Sequence, residues 1–123
     1  MTLFDECKQV LSADFSIIDR KIEQSVIALL NQFPIAMGNV LWDKIEHTDY
    51  ESMDKLLREN ELKNKNIFVV ADNADIPIFR TNINLFAENV YDVVALSPKI
   101  FIFNNEMILQ PLFPSEEFRL GIK

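Results

Sequence analysis

The sequence predicts an α/β (α+β) fold: a mixed or antiparallel central sheet of about four or five strands, with three or four helices covering both of its faces. Three observations lead there. Apolar residues recur at helical spacing through the first third of the chain and again around residues 53–57. From Asn66 onward the pattern changes to short runs of Ile, Val and Phe punctuated by Asn, Asp and Pro. Those runs are continuously apolar rather than alternating, so each face of the sheet needs cover. Helices on both sides would supply it, and a second subunit is the alternative.

Leu3, Phe4, Cys7, Val10 and Leu11 set a first helix over residues 2–11, with Asp5 and Glu6 near the positive end of its dipole. Ser16 and Asp19 form a near capping box for a second, longer helix. Its stripe is Ile18, Ile22, Val26, Leu29, Leu30 and Phe33, and Pro34 stops it. Residues 35–46 fit either a strand or a turn followed by a helical fragment, with a bend at Gly38-Asn39. Thr48-x-x-Glu51 has the form of a capping box and opens a helix through Met53, Leu56 and Leu57 to about Asn60.

The strand region begins with Ile67–Ala71, turns at Asp72-Asn73-Ala74-Asp75 and continues at Ile76–Phe79, where Pro77 implies an edge or a loop. Asn82 or Asn84 caps a short helix through Phe86 and Val90. Val93–Leu96 and Ile100–Phe103 read as strands, and Asn104-Asn105-Glu106 turns the chain into Met107–Leu109. Pro111 and Pro114 close the regular structure and leave a tail carrying Phe118 and Leu120. The expected core strands are therefore 67–71, 93–96 and 100–103, packed by the long helix through Ile22, Val26, Leu29 and Leu30.

With 123 residues, 49% of them hydrophobic, the chain has material for one core, so a single domain over 1–123 is expected. Neither disulfides nor a structural metal is required at that size. Cys7 is alone, which suits a reducing cytosol and a small buried apolar group. No apolar run approaches the roughly eighteen residues of a membrane span, and Met1-Thr-Leu-Phe-Asp-Glu lacks the basic start of a signal peptide. A cytoplasmic protein is expected.

Chemistry is constrained by what is missing. His47 is the sole histidine, so zinc sites with two or three histidines and H-E-x-x-H motifs are excluded within one chain. Glycine occurs only at 38 and 121, which excludes a Walker A loop, G-x-G-x-x-G and the G-x-S-x-G elbow. No cofactor is expected, and no enzyme activity. Asp72 and Asp75 could act as a base or hold Mg²⁺, but Asp and Asn suit such turns for backbone reasons alone. A small enzyme working with carboxylates only is the weakest of three functional readings.

Nineteen acidic against twelve basic residues give a net charge of −7. That balance opposes binding to nucleic acid and anionic membranes and favours a cationic protein partner. The densest acidic stretch holds Asp43, Glu46, Asp49, Glu51, Asp54, Glu59 and Glu61 against Lys44, Lys55 and Arg58. Trp42 and Tyr50 lie within it, aromatics of the kind that anchor protein interfaces inside a charged rim. The candidate partner-binding residues are thus Trp42, Asp43, Glu46, Asp49, Tyr50, Glu51 and Asp54, with Asp72 and Asp75 as a second acidic point.

Fourteen Ile, eleven Asn, ten Phe and eight Lys beside only two Gly give the bias that AT-rich coding DNA produces. In size, acidity and coding bias, together with the 42–61 stretch and the 72–75 turn, the chain resembles the small immunity proteins of bacterial contact-dependent and other polymorphic toxin systems. The resemblance implies an acidic inhibitor that masks a cationic toxin, typically a nuclease, where nucleic acid phosphates would lie. A structural or adaptor subunit of a homo-oligomer, in the simplest case a homodimer, is the alternative, suggested by the two-sided apolar strands.

Overall fold

In the computed structural model, which describes residues 1–123, apolar stripes and turn residues divide the chain into five α-helices and nine strands. The order is α1 (Leu3–Val10), β1 (Phe15–Ile17), α2 (Arg20–Leu30), β2 (Ile35–Ala36), β3 (Asn39–Val40), β4 (His47–Tyr50) and α3 (Met53–Glu59). There follow β5 (Asn66–Ala71), β6 (Phe79–Asn82), α4 (Ile83–Glu88), α5 (Val90–Val94), β7 (Ile100–Phe103), β8 (Met107–Pro111) and β9 (Phe118–Ile122). Single 3-10 turns occupy Ser12–Asp14 and Trp42–Lys44. Seven strands join in the order β1-β6-β5-β7-β8-β9-β4, every neighbouring pair antiparallel. The sheet is larger than the four or five strands expected.

Both faces are covered, as the continuous apolar runs required. Along β7, Ile100 and Ile102 enter the larger core while Phe101 and Phe103 enter the smaller one on the opposite face. Strand β8 repeats this with Met107 and Leu109 against Ile108. The larger core is closed by Cys7 of α1, Met53 and Leu56 of α3, Ile83 and Phe86 of α4 and Val93 of α5. Val26 and Leu30 of α2, with Phe33, Val40 and the partly buried Trp42 and Ile45, close the smaller one.

Five expectations change. Ser16 lies in β1, and it is Asp19 that caps α2, its carboxylate accepting from the Lys21 amide at 2.9 Å. Leu29 is half-buried and Ile22 is 49% exposed, so α2 packs chiefly through Val26 and Leu30. Thr48 pairs with Leu120 inside β4 and caps nothing; the α3 cap is Ser52, whose hydroxyl accepts from the Lys55 amide at 3.2 Å. Val93–Leu96 is not a strand, because Ile83, Phe86, Val90 and Val93 follow one helical stripe across α4 and α5 into the larger core. The supposed tail forms β9: Phe118 and Leu120 point inward and pair it with both β8 and β4.

Two smaller points bear on the surface. Strand β6 starts after Pro77 and runs inside the sheet between β1 and β5, so the proline marks the loop and not an edge. Residues 35–46 combine both readings offered for them: a two-strand hairpin turns through Met37 (φ 53°) and Gly38 (φ 76°), then a 3-10 turn follows.

Candidate protein-binding surface

Eight of the nine candidate residues fall in three places at the surface, and the ninth, Tyr50, is buried. Trp42, Asp43, Glu46 and Asp49 lie along the β4 edge, Glu51 and Asp54 at the start of α3, and Asp72 and Asp75 in the exposed β5–β6 turn. Tyr50 is 9% exposed, its ring in the larger core and its hydroxyl accepting from Asn60 Nδ2 at 3.0 Å. It is packing rather than a presented anchor.

Alternation along β4 puts His47 and Asp49 on the face opposite Tyr50. There Asp49 accepts two hydrogen bonds from Arg119, at 2.7 and 3.0 Å, which hold its carboxyl below the usual range. The same guanidinium lies 5.7 Å from the Trp42 ring, and His47 meets that ring edge-on at 5.5 Å. Gly121 makes this packing possible, since a Cβ there would come within 3.0 Å of both Trp42 and Ile45. Trp42 thus closes the edge of the smaller core, and Asp49 already has a cation.

Glu51 and Asp54 have a different setting. They sit at the mouth of a groove of about 410 Å³ formed where the start of α3, the α4–α5 corner and the β8–β9 loop converge. Its apolar wall includes Met53, Val90 and Phe118, and Glu88, Glu116 and Glu117 join Glu51 and Asp54 around it. None of the sixteen residues that line the groove is Lys, Arg or His. Two rings stand at its surface, Tyr91 at 69% exposure and Phe113 at 51%. The Tyr91 hydroxyl donates to Glu116 Oε1 at 2.8 Å, and that bond to a carboxylate raises its phenol above the ordinary value.

Glu88, Tyr91, Phe113, Glu116 and Glu117 were not anticipated. Each is an ordinary surface residue by its local sequence, and only the folding of three distant segments brings them together. The Asp72–Asp75 turn lies at the same end of the sheet, where Ala71 pairs with Ile100, Pro111 with Phe118 and Phe118 with Tyr50. Asn73 accepts the Asp75 amide there at 3.0 Å, the backbone role expected of such a turn. No group of three or more His, Cys, Asp or Glu side chains is arranged to hold a metal ion.

Residues 1–121 match the family model described as CdiI immunity protein, EcoliA0-like. The chain belongs to this family. It is therefore an immunity protein of a contact-dependent inhibition system. No curated protein matches the sequence. For a CdiI immunity protein the pertinent chemistry is protein recognition, and the groove combines an apolar wall with a rim of five carboxylates. No helix is long and apolar enough to cross a membrane.

Proposed function

We propose that this immunity protein neutralises a cognate toxin domain that is cationic, a nuclease, by seating its carboxylates where the toxin would bind nucleic acid phosphates, and that it does so in the cytoplasm of the cell that makes it. The observation that supports this is the groove with five carboxylates and no cation. Like charges gathered on one surface repel each other, and a basic partner relieves that repulsion while being steered toward it. Glu51 and Asp54 of the candidate set line this groove, with Asp72 and Asp75 at the same end of the sheet. Those four are its centre and flank. Trp42, Asp43, Glu46 and Asp49 lie along the sheet edge and serve as a secondary contact.

The oligomeric-subunit reading has less support than the inhibitor reading, because α2 with the β2–β3 hairpin covers one apolar face of the sheet and the other four helices pack on the opposite one. The test is growth. Co-expression with its cognate toxin, sought among candidate toxin domains of the gene neighbourhood, should restore growth that the toxin alone arrests, and the two chains should copurify in low salt. Continued arrest, with this chain folded and abundant, would overturn the proposal.

A further inference from the structure

The geometry points to an arginine side chain, carried on a segment of the toxin, as the occupant of the acidic groove: it stacks on the Tyr91 ring and its guanidinium meets Glu116 and the neighbouring carboxylates. This rests on the reading of the groove as the toxin-binding surface. Charge alone asks only for a cation, and two further observations narrow the choice.

The first is the fixed position of an exposed ring. Tyr91 is 69% exposed, yet its hydroxyl is tied to Glu116, twenty-five residues away on the β8–β9 loop. A flat π face and a carboxylate are thereby held side by side before any partner arrives. Glu116 keeps a second oxygen free of that bond, and Glu117 follows it on the same loop. A planar guanidinium can use both features together, stacking on the ring while its N–H groups reach carboxylate oxygens. The lysine ammonium is a compact, strongly hydrated point charge and gains less from the ring.

The second is the groove's size and lining. About 410 Å³ with Met53, Val90 and Phe118 in the wall accepts the long aliphatic stem of an arginine together with part of its backbone. Phe113, 51% exposed, supplies a second apolar surface at the mouth. A small metal ion would leave that apolar wall unused.

The probes are the tripeptides Arg-Arg-Arg and Lys-Lys-Lys, titrated into the full chain while backbone amide shifts are followed by NMR. The arginine peptide should give saturable shifts at Tyr91, Phe113, Glu116 and Met53 and bind about 2- to 5-fold more tightly than the lysine peptide, the margin of an exposed cation–π contact. Tyr91→Ala should abolish that preference and Tyr91→Phe should keep part of it, since the ring remains while its bond to Glu116 is lost; position 91 is exposed, and melts confirm that both variants fold. Equal affinities, or shifts centred on residues 43–49 or 72–75, would overturn the inference. Growth rescue is scored separately. Rescue without an arginine preference removes this inference and leaves the proposed function standing, whereas failure of rescue removes the proposed function whatever the peptides show.

Discussion

Asp49 and Arg119 face each other across the β4–β9 pair, and the guanidinium holds the carboxylate with two hydrogen bonds. The pair pins the outermost strand of the sheet beneath Trp42. Its side chains are partly solvated, so solvent screening keeps its worth small. Asp49→Asn should cost no more than about 1 kcal/mol at neutral pH. Because the folded-state value of Asp49 is depressed, the contribution is complete above the ordinary carboxylate range and is lost as pH falls through the lowered value. Denaturant melts of wild type and variant should therefore converge in strong acid. A gap that widens in acid would assign the stabilisation to another group.

Packing on the smaller face separates two adjacent leucines. Leu30 is buried against the Phe101, Phe103 and Ile108 side of the sheet, while Leu29 is half-buried at its margin. Leu30→Ala should lose about 2–4 kcal/mol by cavity formation, and Leu29→Ala nearer 1 kcal/mol because water can refill its site. Equal losses in urea melts would mean that α2 is rotated from the position described.

The α3 cap offers a cleaner contrast. Ser52→Ala removes the acceptor of the Lys55 amide and should cost about 1 kcal/mol. Thr48→Ala leaves every helix end intact and should cost less, only the β propensity of an edge position. The reverse order in thermal melts would restore the Thr48-x-x-Glu51 box.

What could be read from the sequence follows the range of each signal. The two-sided cover of β7 was legible because Ile100 to Phe103 leaves no polar face, whatever its neighbours. The α3 start was misplaced because Thr48 and Ser52 both suit a cap, and the choice falls to the pairing of Thr48 with Leu120, seventy-two positions away. Strand β9 was hidden for a similar reason: Pro111 and Pro114 bound a loop, and only pairing to β4 and β8 gives Phe118 and Leu120 their alternation. The groove shows the same limit at the level of function. Glu51 and Asp54 stood out in a dense acidic stretch, but Glu88, Tyr91 and Glu116 have no local mark of their partnership.

Cys7 should be inert in the folded protein. It is fully buried in the larger core, and burial, with a smaller contribution from the charge of Asp92, pushes its thiol up to about 12. Since the thiolate is the reactive form, an aromatic disulfide reagent at mildly alkaline pH should label it only on unfolding. Labelling should thus appear across the urea transition. Fast stoichiometric labelling of the native chain would show that α1 opens from the sheet.

Association with the toxin should depend on where the negative charge lies as well as on how much there is. Oppositely charged proteins can meet at about 10⁸–10⁹ M⁻¹s⁻¹ at low salt, against roughly 10⁵–10⁶ without steering. Two triple variants separate position from amount. Lysine at Glu51, Glu88 and Glu117 reverses the groove, and lysine at Glu6, Glu59 and Glu61 reverses exposed charges that line neither the groove nor the β4 edge. Each exchange adds two positive units, so both variants move from −7 to −1. All six side chains are exposed, and Glu51 precedes the Ser52 cap, so neither set removes a core contact or a capping bond. Loss of long-range attraction should slow both variants to a comparable degree and flatten the salt dependence. The groove variant should in addition dissociate faster, because a docked cation then meets lysines within the contact, and it should fail to rescue growth. Stopped-flow rates across a salt series measure the first effect and surface-based dissociation the second. If the groove variant dissociates no faster than its equally charged counterpart, the toxin sits elsewhere, and the β4 edge with Trp42 and Asp43 becomes the surface to reverse next.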